Sequence, residues 1–114
     1  MKYIRFFPDG SKEWYQYSEF ARSYIFHRIG GPAAEYVNGS KYWYQEGKLH
    51  RVDGPAIEFS DGTKCWYQND QLHRLDGPAI EWANGNKKWY YEDTEINCTT
   101  QQEFIRLINL KAFW

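Results

Sequence analysis

The stretch LHRVDGPAIEFSDGTKCWYQ, Leu49–Gln68, decides the fold. Twenty-three residues further on, Leu72–Tyr91 reads LHRLDGPAIEWANGNKKWYY, and twenty-three residues earlier Phe26–Gln45 reads FHRIGGPAAEYVNGSKYWYQ. The period runs without a gap through His27/His50/His73, Arg28/Arg51/Arg74, Gly31/Gly54/Gly77 and Pro32/Pro55/Pro78. It continues through Ala33/Ala56/Ala79, Glu35/Glu58/Glu81, Lys41/Lys64/Lys87, Trp43/Trp66/Trp89 and Tyr44/Tyr67/Tyr90. Self-similarity of this kind is the signature of a repeat architecture, with copies at 27–49, 50–72 and 73–95.

Each copy is written in the grammar of β-hairpins. Asn38-Gly39, Asp61-Gly62 and Asn84-Gly85 are turns, because glycine accepts positive φ. Strands are predicted before them at Ala33–Val37, Ala56–Ser60 and Ala79–Ala83, and after them at Lys41–Gln45, Lys64–Gln68 and Lys87–Tyr91. Second turns fall at Glu46-Gly47 and Asn69-Asp70. Proline, which has no amide proton, marks the bend that enters each strand.

The two ends depart from the pattern. FFPDGSKEWYQ is the turn-and-strand half of a degenerate copy in residues 1–26, with Gly10 and Trp14 aligned to Gly39 and Trp43 at a spacing of 29, so six residues are inserted. SEFARSYIF within that insertion predicts a helical turn capped by Ser18. At the other end Ile96 and Asn97 stand where His and Arg would recur. Thr100 and Glu103 form a capping box, and Phe104, Leu107, Ile108 and Lys111 share a face with Ile105 beside them. An amphipathic helix is predicted within 99–114, as a cap on the last edge of the sheet.

Bulk properties narrow the function classes. A chain of 114 residues makes one domain, 1–114. Aromatic residues are 20%, including six Trp and ten Tyr, so buried surface comes from rings rather than from aliphatic side chains. Net charge is −1 and no run of Lys and Arg exists, which excludes non-specific nucleic-acid binding through a basic field. Cys65 holds a place taken by Tyr42 and Lys88 in the sister copies, so the repeat does not need it. Neither a disulfide framework nor a metal site is expected from Cys65 and Cys98, and a reducing cytoplasm fits. No membrane span or signal peptide is read.

The full period WYQEGKLHRVDGPAIEFSDGTKC, residues 43–65, resembles the MORN repeat, and the likeness extends from Lys2 to Glu95. The resemblance implies a mainly β fold: a single-layer antiparallel β-meander of repeated hairpins, closed here by the C-terminal helix. The HR-x-D/G-G-P-A variant is similar to MORN-like repeats of small bacterial and phage proteins, including a toxin–antitoxin antitoxin family. The resemblance therefore implies a binding protein, in the host cytoplasm if phage-encoded, and no common reaction.

The columns carry the candidate chemistry. The Trp column supplies core, or a stacking platform for a ring-bearing ligand. The Tyr column, one residue later, faces the other side of the sheet. Gly-Pro-Ala shapes the bend, and Glu and Lys make cross-strand pairs. The His-Arg column has two readings. Arg51 with Asp53 and Arg74 with Asp76 could brace the bend, or the arginines could form a ladder of cations roughly 10 Å apart that grips spaced phosphates or carboxylates. Arg28 is the informative member, because Gly30 replaces the acidic neighbour. The candidate ligand-binding set is His27, Arg28, His50, Arg51, His73, Arg74, Tyr44, Tyr67 and Tyr90. No nucleophile stands in fixed relation to His and Asp, so neither catalytic residues nor a cofactor are expected. The leading expectation is a non-catalytic protein that sequesters a small anionic, ring-containing ligand such as a signalling nucleotide, as a counter-defence sponge. The alternative is a protein-binding inhibitor or antitoxin using the aromatic face of the sheet, and a third is a scaffold module. A homo-oligomer is expected.

Overall fold

The computed structural model describes residues 1–110. The chain is a mainly β, antiparallel succession of hairpins ending in one helix. The main sheet begins with β1 (Lys2–Phe6), β2 (Lys12–Ser18) and β3 (Ser23–Phe26), where β2 pairs with β1 and, through its second half, with β3. The first half of β2 pairs with β4 (Ala34–Glu35), which pairs with β5 (Lys41–Tyr42). The same step repeats through β8 (Ile57–Glu58), β9 (Lys64–Cys65) and β12 (Ile80–Glu81) to β13 (Lys87–Tyr91) and β14 (Thr94–Ile96). Two small ribbons stand off this path: β6 (Tyr44–Gln45) with β7 (Lys48–Leu49), and β10 (Tyr67–Gln68) with β11 (Gln71–Leu72).

Strands predicted as continuous at Lys41–Gln45 and Lys64–Gln68 are each interrupted at the tryptophan, Trp43 or Trp66. The tryptophan amide still donates to the next repeat, Trp43 N to Ala56 O at 2.7 Å and Trp66 N to Ala79 O at 2.8 Å. Its carbonyl accepts from the returning histidine amide, His50 and His73, both at 3.0 Å. The chain thus changes direction at each tryptophan, which sends one hairpin into the main sheet and the next into a ribbon. In the last copy β13 runs through Trp89 unbroken.

Both turn families follow from sequence. Gly10, Gly39, Gly62 and Gly85 sit at φ 97, 96, 95 and 93°, and the preceding Asp9, Asn38, Asp61 and Asn84 side chains each accept from the amide two residues on. At the other end the turn pairs Asn69/Asp70 and Glu92/Asp93 have φ of 51/66° and 45/71°, the type I′ geometry whose twist matches a hairpin. A column that the pattern of identical residues conceals ties the first turns together. The buried hydroxyls of Ser11, Ser40 and Thr63 accept from Val37, Ser60 and Ala83 amides at 2.9, 3.1 and 3.1 Å.

Along the sheet the fully enclosed apolar positions are alanines, Ala33, Ala56 and Ala79, with Ile57 and Cys65 buried beside them; the larger buried side chains Trp89 and Ile96 lie at the C-terminal end under the helix. At the N-terminal end, rings stack across strands in the order Tyr3, Tyr15, Phe26, Tyr44, with centroids 5.0, 4.9 and 4.8 Å apart. Beside them the buried Glu13 carboxylate accepts from the Tyr15 and Tyr36 hydroxyls. The insertion differs from expectation. Ser18 does cap a turn, its Oγ accepting from Ala21 N, but Ser23–Phe26 is strand, because pairing with β2 gives its amides partners that a helical turn would leave in water.

The helix α1 spans Gln101–Asn109, with Thr100 as its N-cap accepting from Glu103 N at 3.2 Å. Phe104 and Ile108 pack on Trp89 and Ile96, so the residue replacing histidine becomes core. Lys111, expected on the same face, lies outside the described residues. No helix among the described residues is long and apolar enough to cross a membrane.

Burial and the hydrogen bond to Glu13 push the Tyr15 phenol up from 10.0 to about 12, and the same causes push Tyr36 up. A phenol whose folded pKa is raised adds stability that is full below pH 10.0 and is lost as pH rises through about 12. Alkaline unfolding followed by circular dichroism should therefore steepen over that window. Tyr15→Phe should lose part of the steepening; an unchanged alkaline limb in that variant would refute the assignment.

Candidate functional site: the arginine–tryptophan grooves

Each arginine of the His-Arg column lies on the tryptophan of the preceding copy. Arg28 Cζ is 3.8 Å from the Trp14 ring centre, Arg51 3.9 Å from Trp43, and Arg74 3.8 Å from Trp66. The same guanidinium reaches forward through Nη1, to the carbonyl and carboxylate of Pro32 and Glu35, of Pro55 and Glu58, or of Pro78 and Glu81. The first two carboxylate contacts are 3.1 Å and the third 2.7 Å. Glu35, Glu58 and Glu81 face lysines across the strands in register, yet their ion pairs are with arginine.

The glycine of Gly-Pro-Ala has a role other than bending. Gly31, Gly54 and Gly77 are not at positive φ. A Cβ on them would lie 2.9, 2.7 and 2.7 Å from the arginine Cζ, inside contact distance. Glycine there leaves room for the guanidinium between the backbone and the indole.

The third nitrogen distinguishes the copies. Arg51 Nε donates to Asp53 at 3.0 Å and Arg74 Nε to Asp76 at 2.8 Å. The Arg74 hydrogen bond holds the Asp76 carboxyl below its ordinary range. In the first copy Gly30 supplies no carboxylate, and Arg28 Nε and Nη2 have no hydrogen-bond partner among the described residues. Gly30 also sits at φ 87°, which its counterparts Asp53 and Asp76 do not.

The histidines hold the I′ turns. His27, His50 and His73 accept through Nδ1 from the amides of Glu46, Asn69 and Glu92 at 2.9, 3.1 and 3.0 Å, each a residue at positive φ. That acceptor role places the imidazole proton on Nε2.

Between successive copies these parts enclose shallow grooves. One of about 400 Å³ lies over Trp43 between Gly31-Pro32 and Arg51-Val52, and its equivalent of about 510 Å³ lies over Trp66 between Gly54-Pro55 and Arg74-Leu75. A larger one, about 610 Å³, lies over Trp14 and Arg28, with β1 forming its far wall. The candidate set therefore divides. The histidines and arginines line the grooves, while Tyr44, Tyr67 and Tyr90 are half-buried and line none of them; burial raises the Tyr44 and Tyr67 phenols. A further column was passed over in the sequence: Ile29, Val52 and Leu75, one residue after each arginine, are 68, 75 and 51% exposed at the groove rims. Its signal was an aliphatic residue kept in every copy at a position between charge and turn.

Among the described residues no group of three or more His, Cys, Asp or Glu is arranged to hold a metal ion. Comparison with protein-family models, with curated proteins and with solved structures returns no match.

Gly54→Ala should push the Arg51 guanidinium off Trp43 and away from Glu58. Loss of those contacts should destabilise the fold by about 1–3 kcal/mol in urea unfolding. A midpoint equal to that of the parent would show that the glycine is not reserving this space.

Proposed function

We propose that the chain is a non-catalytic binding protein of the inhibitor or antitoxin kind, which lays an extended protein segment along the row of grooves. The exposed aliphatic column carries this reading. Ile29, Val52 and Leu75 meet water at 68, 75 and 51% exposure, one in each copy. Isolated exposed apolar residues are ordinary, but a periodic row of them beside grooves is the pattern of an interaction surface. Successive members should be roughly 10 Å apart, two strand spacings, which an extended segment spans in about three residues. The half-buried Arg-Trp stacks form groove floors of the composition that interface centres favour.

Capture of a phosphate-rich ligand along the whole His-Arg column is less well supported, because Arg51 and Arg74 each already hold two carboxylates. The MORN-like resemblance favours a partner from bacterial or phage conflict systems.

The test is the pair Val52→Asp and Leu75→Asp, combined. Both side chains are exposed, so folding should be kept while co-purification of a protein partner from the native cells is lost. Retention by this variant, together with loss on Phe59→Asp at the opposite face, would move the interface to the aromatic side and refute the groove reading.

A further inference from the structure

The three copies provide an internal comparison that assigns a ligand chemistry to the N-terminal groove. Wherever the repeat is complete, the arginine Nε is taken by a carboxylate: Asp53 on Arg51 at 3.0 Å and Asp76 on Arg74 at 2.8 Å. The guanidinium in those copies thus binds two carboxylates while stacked on indole. Arg28 has the same stack on Trp14 and the same Glu35 partner, but Gly30 contributes no side chain and its Nε and Nη2 edge is unpartnered among the described residues. Arg28 lines the 610 Å³ groove and also borders the groove over Trp43, where Gly30 lies; the larger of the two is of the size that small-molecule sites occupy. Its walls are unlike those of the other two. Ile4, Phe6 and Ile29 are 44, 68 and 68% exposed, and Lys2 joins Arg28 with no aspartate in the lining, whereas Asp53 lines both other grooves and Asp76 one of them.

We infer that the groove over Arg28 and Trp14 binds a small organic carboxylate with an aromatic or aliphatic body. The carboxylate would accept from Arg28 Nε and Nη2, the side-on fork that suits its two oxygens. The body would lie against Ile4, Phe6 and Ile29. A carboxylate rather than a phosphate follows from the chemistry of Asp53 and Asp76 at the equivalent nitrogens.

Phenylacetate, 2-phenylethanol and phenyl phosphate are the probes, titrated into the full chain by NMR. Phenylacetate should shift the Arg28 Nε–H and Trp14 Nε1–H resonances and leave the Arg51 and Arg74 Nε–H in place. The neutral alcohol should bind at least about tenfold more weakly, as should phenylacetate to Arg28→Gln, since charge-assisted contacts carry that much. Phe6→Ala, changed only at an exposed ring, should weaken phenylacetate severalfold with an unaltered melting temperature, which keeps the test decisive if Arg28→Gln folds poorly. Equal binding of acid and alcohol, shifts spread over all three arginines, tighter binding of phenyl phosphate, or no binding of phenylacetate would each overturn the inference. None of these outcomes bears on Val52 and Leu75, so the protein-binding row stands or falls separately.

Discussion

A guanidinium held between an indole ring and a glycine backbone is the interaction on which the rest of this structure depends. A sheet with no second layer packed on it has little to bury side chains against, and the most fully enclosed apolar positions along the main sheet are alanines. Its repeats must be coupled by something else. The arginine does this by lying on the tryptophan of the copy before and donating to the proline carbonyl and glutamate of its own. The repeated residues then have one explanation each. Glycine makes space, the proline carbonyl and glutamate receive Nη1, the alanine carbonyl receives the tryptophan amide, and tryptophan provides the ring. Coupling of neighbours only, copy to copy, is the energetic form of a repeat protein.

The ends of the strip are solved by different means. Past the third copy Ile96-Asn97 replace the His-Arg pair that would cover Trp89, and α1 takes over. Gln101 accepts from Trp89 Nε1 and donates to Leu75 O, both at 2.8 Å, while Phe104 joins Trp89 in one buried cluster. The helix therefore substitutes for a missing copy at this tryptophan. At the other end Arg28 covers Trp14 normally, but β1 replaces the Gly-Pro segment of a preceding copy, and the groove there is wider and more apolar in its walls.

The hairpins, both turn families and the N-capped helix were legible in the sequence, because each is announced by local chemistry: Asn-Gly or Asp-Gly, alternating rings, Thr100 with Glu103; the meander order was implied by the family resemblance. Three things were not. Interruption of the strands at Trp43 and Trp66 depends on where the neighbouring copy places its carbonyl, which no local pattern encodes. The Arg-on-Trp contact crosses that interruption, so period-two alternation could not pair the two columns, and Gly31, Gly54 and Gly77 were read as bends. The hydroxyl column escaped because Ser11, Ser40 and Thr63 are not one residue type, although all three accept an amide in the same way. Of the candidate site, the histidines and arginines, read in sequence as a column at the bends, line the grooves, whereas the tyrosines grouped with them line none.

The central claim is that Arg51 and Trp43 act as one unit joining two copies. A double-mutant cycle with Arg51→Met and Trp43→Leu, read by urea unfolding, measures it directly. A coupling energy of about 1–2 kcal/mol is predicted, in the range of a partly desolvated cation–π contact. Additive single-site effects would contradict the account and leave the repeats held by backbone hydrogen bonds and the hydroxyl column.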